Sequence, residues 1–159
     1  MVLHAILPVR IKVRGSASSV ETYAFYDSYS DSCPLTEELK DQFGKEGTPT
    51  QLRLRTIHGS GCVDAVVVKN FIVTDINGDN VVDISIAYTQ TEMPVSKEQI
   101  PTPETLSRMK SLSGVVNEIP QYRSDLQVGL LIRSNCPSTL EPLEVVMDLL
   151  QCVCDMGGL

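Results

Sequence analysis

A chain of 159 residues suits one domain with a real core, since about two-thirds of the unfolded surface is buried at this size. Hydrophobic residues at 42% and charged residues at 21% argue against disorder over most of the chain, and 5% aromatics with no Trp imply an aliphatic core. A formal charge of −7 argues against a dedicated nucleic-acid binder, whose phosphate contacts require clustered Lys and Arg.

The first apolar patch, Val2 to Val9, is interrupted by His4 and Pro8, has no basic segment before it, and is followed at once by basic residues. Neither a signal peptide nor a membrane span is expected there. From Val9, apolar Val9, Ile11 and Val13 alternate with Arg10, Lys12 and Arg14, the period of a half-buried strand. Gly15 to Ser19 makes a turn, and Val20 to Tyr26 reads as a second strand that pairs with the first as a hairpin and ends at Asp27. Basic residues on the strands, including Arg53 and Arg55, are expected on solvated faces.

Thr36 is placed to cap a helix from Glu37 to Phe43, with two acids in its first turn and Gly44 closing it. Leu52, Leu54 and Thr56 alternate with Arg53 and Arg55, then Ile57-His58-Gly59-Ser60-Gly61 forms a glycine-containing hairpin tip before the apolar run Val63 to Val68. That hairpin has the character of a mobile flap. Asn77-Gly78 between Phe71 to Thr74 and the alternating Val82, Ile84 and Ile86 predicts a further hairpin. Met93 to Pro120 is proline-punctuated around one helical stretch, Glu104 to Leu112, and predicts a long excursion. Leu126 to Ile132 reads as a strand covered on both sides, and Leu140 to Cys154 as a helix whose start Pro142 restricts.

The chemistry-bearing feature is Ala24-Phe25-Tyr26-Asp27-Ser28-Tyr29-Ser30-Asp31, where an apolar strand delivers an acid and a hydroxyl onto a turn. Aspartic proteases place their acid on Asp-Thr/Ser-Gly, and two such carboxylates share a proton while they activate a water. With one motif and no internal repeat, a dyad requires a two-fold dimer. His58 has no marked nucleophile beside it and is expected on the surface. The sequence "DINGDN" at 75 to 80 lacks the closing glutamate of a calcium loop and reads as a turn. Cys33, Cys62, Cys136, Cys152 and Cys154 have no zinc spacing, so no metal or cofactor is expected and the setting reads as reducing, intracellular and cytoplasmic.

The stretches Ile6 to Gly15, "AFYDSYSD" at 24 to 31, "LTEELKDQFG" at 35 to 44, "TEMPVSKEQIP" at 91 to 101 and "VGLLIRSNCPSTLEPLEV" at 128 to 145 together resemble the retropepsin-like aspartic protease domain of BEL/Pao-type retrotransposon polyproteins. The resemblance implies a domain over residues 1 to 147 with a C-terminal tail at 148 to 159, and a mostly β fold, a closed antiparallel acid-protease barrel with one or two short helices. It implies a homodimer that cleaves a peptide or polyprotein, with no nucleic acid or membrane as partner of this domain. The resemblance implies Asp27 as the catalytic acid and Ser28 as its hydroxyl partner. It also implies that Tyr29, Ser30 and Asp31, with the flap residues Ile57, His58, Gly59, Ser60 and Gly61, line the substrate.

Three positions depart from the family pattern. Tyr29 stands at the motif glycine, Arg133 stands at a second glycine after the late apolar strand, and the tail "MDLLQCVCDMGGL" lacks the glycine-rich terminal strand segment. The expectation is an endopeptidase of weakened or lost activity, a pseudoenzyme. The alternatives are a non-catalytic peptide-binding or dimerisation module and a β-rich adaptor unrelated to proteases.

Overall fold

The computed structural model describes residues 5–27, 33–44, 46–110 and 116–133, with the backbone alone at 27, 54–56, 118 and 133. Seven strands follow in chain order: β1 (Ile6–Val13), β2 (Val20–Asp27), β3 (Pro34–Thr36), β4 (Thr48–Thr56), β5 (Gly59–Asp75), β6 (Val82–Gln90) and β7 (Val128–Arg133). Two short helices, α1 (Glu37–Phe43) and α2 (Pro103–Ser107), accompany them. Hydrogen bonding runs β1-β2-β7-β3-β6-β5 and returns to β1, a closed six-strand barrel, while β4 hangs on the outer half of β5.

The barrel is mixed, which corrects the antiparallel expectation. β2 pairs with β7 in parallel, and so does β3 with β6. A parallel neighbour needs a crossover; α1, β4 and β5 lie between β3 and β6, and the excursion through α2 is the last part of the connection from β2 to β7. β1 begins at Ile6, earlier than the alternation suggests, and includes Pro8. Proline is tolerated there because β1 pairs with β5 only from Val9 onward, so Pro8 has one strand neighbour, β2.

Local chemistry sets the helix ends. The Thr36 hydroxyl accepts from the Leu39 N–H at 3.2 Å, and Gly44 closes α1 at φ 69. α2 stops at Ser107, well short of Leu112, although Thr102 caps it by accepting from Thr105 N–H at 3.1 Å. Only its Leu106 is buried. A single apolar anchor does not sustain a longer helix.

Two cores form on the two faces of the β1-β2-β7 wall. Inside the barrel lie Ile11, Ala24, Leu35, Leu39, Val68, Phe71, Ile84, Leu130 and Ile132. Outside, Ile6, Tyr23 and Val128 pack against Val95, Ile100 and Leu126 of the excursion and its return. Val128 and Leu130 are two residues apart yet belong to different cores, which a regular strand of period two forbids. The exception is a bulge: Tyr23 pairs with Val128 and Ala24 with Leu130, leaving Gly129 extra. The Thr22 hydroxyl fixes it, donating to the Gln127 carbonyl at 3.0 Å and accepting from Gly129 N–H at 3.1 Å.

The excursion is latched to β2. The Tyr23 phenol accepts from Arg123 N–H at 2.9 Å, and the Arg123 guanidinium reaches Glu21 at 2.7 Å and grips Asp125 with two bonds. Arg10 on β1 approaches the other Glu21 oxygen at 3.3 Å. The Arg123 hydrogen bond, above all, holds the Glu21 carboxyl below its usual range, against partial desolvation.

At Gly129 an added Cβ meets Thr22 Oγ1 at 2.7 Å and Leu39 Cδ2 at 3.0 Å. Gly129→Ala is therefore expected to destabilise the fold by about 1–3 kcal/mol, read by urea denaturation; an unchanged midpoint would contradict the packing. For Glu21, a folded value below the unfolded one means stability that is present above about pH 4.3 and lost as pH falls through the folded value. Thermal unfolding from pH 6 to 3 is expected to find the wild type above Glu21→Gln at pH 6, with the gap closing in acid. A gap independent of pH would contradict the latch.

Candidate active site

Asp27 is the last residue of β2, and its strand is enclosed between β1 and β7. Tyr26 N–H donates to the Ala5 carbonyl at 2.9 Å, which holds the strand end against the start of β1. On the other side Tyr26 is in register with Ile132, and Asp27 with Arg133. Asp27 and Arg133 are thus backbone neighbours across one parallel ladder. Tyr26 itself packs against the inner core, and burial, with the Asp75 charge adding, pushes its phenol up to about 12. It is neutral over the whole working range of a carboxylate. Ser28, Tyr29, Ser30 and Asp31 lie outside the described residues, as do the tail and Cys136, Cys152 and Cys154.

The β4-β5 ribbon projects from the wall. Its pairing closes at Thr56 opposite Gly59, so the loop is the two residues Ile57 and His58. β5 is one continuous strand of 17 residues, joining the two runs read separately from sequence, and at about 3.4 Å per residue it spans both ribbon and barrel wall. Ile57 is 96% exposed, and His58, Gly59, Ser60 and Gly61 are exposed with it. Gly59 adopts φ 124, which disfavours any side chain, while an added Cβ at Gly59 or Gly61 meets nothing within 4 Å.

The ribbon is two-faced. Leu52 stands opposite Val63 on one side, and Val63 is 44% exposed. On the alternate side Gln51 Nε2 donates to Asp64 Oδ1 at 3.2 Å, and Arg53 stands opposite Cys62.

Other candidate features do not converge on Asp27. A shallow cavity of about 100 Å³ lies near the opposite end of β2, between Glu21, Thr22, Leu39, Gln42, Asp125 and Gly129. Its Glu21 and Asp125 carboxylates are already engaged by Arg123. At "DINGDN" the Asp75 carboxylate accepts from the Asn77 and Asp79 N–H groups at 2.9 Å and from Asn80 Nδ2 at 2.8 Å, so it organises a turn. Among the described residues no group of three His, Cys, Asp or Glu is placed to hold a metal ion. Cys33 is buried and Cys62 exposed, and neither forms a disulfide.

No protein-family model matches the chain, and no curated protein matches it. The geometry therefore stands alone. Thr22, Gly129 and Arg123, which hold the β2–β7 register and its outer latch, are given no role by the sequence reading; an isolated glycine inside an apolar strand pattern is the signal that marks such a bulge.

The ribbon and the barrel wall are expected to differ in local stability. Residues Gly59 to Asp64 on β5 are exposed, whereas Phe71 to Val73 on the same strand are buried. Hydrogen exchange should be at least about tenfold faster in the first group; equal protection along β5 would contradict a free ribbon.

Proposed function

We propose that this chain is a retropepsin-like aspartic protease domain of the BEL/Pao retrotransposon type, with hydrolysis weakened or lost. In this reading two copies meet about a two-fold axis and each contributes Asp27 to one dyad. One carboxylate takes a proton from a water that attacks the peptide carbonyl, and the other gives a proton to the carbonyl oxygen. The Ser28 hydroxyl fixes the two loops, Asp31 holds the substrate backbone, and the ribbon tip from Ile57 to Gly61 closes over an extended peptide. The substrate class is a polyprotein segment in extended form.

The observation that carries this reading is the position of Asp27: an acid at the end of a strand enclosed in a closed barrel wall, with a glycine-bearing ribbon projecting from the same barrel. The Asp27 register with Arg133 supports loss of activity and favours the second reading, a peptide-binding or dimerisation module that does not cut. Forcing a side chain into a glycine-type backbone costs only about 1–3 kcal/mol. Geometry is the heavier penalty, because a shift of about 1 Å at the reacting groups reduces turnover on the order of a hundredfold.

Purified chain incubated with a mixed peptide library from about pH 4 to 7 tests the proposal. The wild type is expected to cleave little, Tyr29→Gly with Arg133→Gly to cleave at least about a hundredfold faster, and Asp27→Asn in that background to cleave nothing. A wild type as fast as the double variant would remove the loss of activity, and cleavage that survives Asp27→Asn would remove Asp27 from the chemistry.

A further inference from the structure

We propose that the excursion between β6 and β7 is a cover on the β1-β2-β7 wall that opens by itself, ahead of the barrel, and more readily in acid as the Arg123 latch is undone. The device is separate from the proposed chemistry and requires neither Asp27 nor a second copy of the chain.

Short-range bonds make the excursion one body. Lys97 Nζ donates to the Ser124 carbonyl at 2.8 Å, which ties its first turn to its last. The Gln99 side chain accepts from Ser96 N–H at 2.8 Å, and Thr102 caps α2. Toward the wall the excursion presents apolar side chains and Arg123. Val95, Ile100 and Leu126 pack with Ile6, Tyr23 and Val128, and Phe25 joins them. Arg123 reaches β2 twice, by its N–H to the Tyr23 phenol at 2.9 Å and by its guanidinium to Glu21 at 2.7 Å. The barrel is complete without this layer. No described residue between β6 and β7 belongs to the inner core, and the hydrogen-bonded circuit of strands closes without them. A segment with its own small core and an independent neighbour is the kind of unit that opens at a smaller free energy than the whole fold.

Acid acts on the latch and leaves the inner core untouched. Hydrogen bonds from Arg123 are the foremost cause that holds both the Glu21 and the Asp125 carboxyls below their usual range. Such groups lend stability above their unfolded values and lose it as pH falls through the folded ones. Among the described residues, Arg10 of β1 also supports the Glu21 charge and Lys97 that of Asp125, while Glu38 of α1, on the same shallow cavity, is the like charge beside them. Tyr122 stacks on Tyr23, whose phenol desolvation keeps neutral. Once Glu21 is protonated, the Arg10 and Arg123 cations that share it face each other with no anion between them, which favours opening. The inner core holds no charged side chain, and its Tyr26 phenol is already neutral.

Native-state hydrogen exchange of the full chain in low urea, at about pH 6 and about pH 3, tests the cover. The reporters are the amides of Leu106, Arg123 and Leu126 in the excursion, and those of Phe71 to Val73, which have β1 and β6 on either side. The excursion amides are expected to be at least about tenfold less protected than the barrel amides, with a shallower dependence on urea because less surface is exposed. Their protection should fall at least about fivefold in acid. Arg123→Gln, which keeps the N–H bond to Tyr23, should lower it by about as much at the higher pH and remove most of the acid response. Excursion and barrel amides that share one protection and one urea slope would overturn the cover, and so would a Gln variant that exchanges like the wild type at both pH values. Should that variant fail to fold, the wild type decides: separate opening that increases in acid supports the cover, and protection independent of pH overturns it.

Discussion

The parallel seam between β2 and β7 is the constraint on which the remaining structure depends. It places two strands distant in sequence side by side in the barrel wall, with apolar cores on both of their faces. Such a seam tolerates no slippage, because a shift of one residue exchanges the faces of every side chain. The buried Thr22 hydroxyl and the Gly129 bulge settle the register. From that register follow the inward Leu130 and Ile132, the outward Val128, and the meeting of Asp27 with Arg133.

The excursion between β6 and β7 serves the seam from outside. Val95, Ile100 and Leu126 cover the outer face of β1 and β2, and burying side chains of this size stabilises by about 1.5–3 kcal/mol each. Polar bonds then orient the layer. Tyr23 is mostly buried with its phenol raised by desolvation, and it stacks on Tyr122 at 6.4 Å while accepting from Arg123. The Glu21 and Asp125 carboxylates hold the Arg123 guanidinium from two sides. What looks in sequence like a proline-broken insert is the outer cover of the β1-β2-β7 wall.

Elements governed by neighbours in sequence were legible before the fold. Thr36 and Gly44 bound α1 as their capping chemistry demands, Asn77-Gly78 turns between β5 and β6, and the apolar run at 126 to 132 contains β7. Elements governed by distant partners were not. Pro8 breaks the apparent period of β1, and its place is understandable only once that half of the strand is seen to lack a second neighbour. The parallel pairings depend on where long connections return the chain, from β3 to β6 by way of α1, β4 and β5 and from β2 to β7 by way of all the elements between them, which no local period encodes. At the site the same division holds. The acid at a strand end was visible, while its pairing with Arg133 rests on a bulge that Gly129 only hints at.

The proposed chemistry turns on a second copy of the chain, since one Asp27 cannot share a proton with itself. In the proposed reading the two-faced ribbon beside the closed barrel is the means of capture, and Tyr29 and Arg133 fall on the part that would cut. Sedimentation equilibrium of the purified chain across a wide concentration range tests this most directly. The account predicts a reversible dimer with a limiting mass twice that of the chain; a strict monomer at every concentration would contradict it.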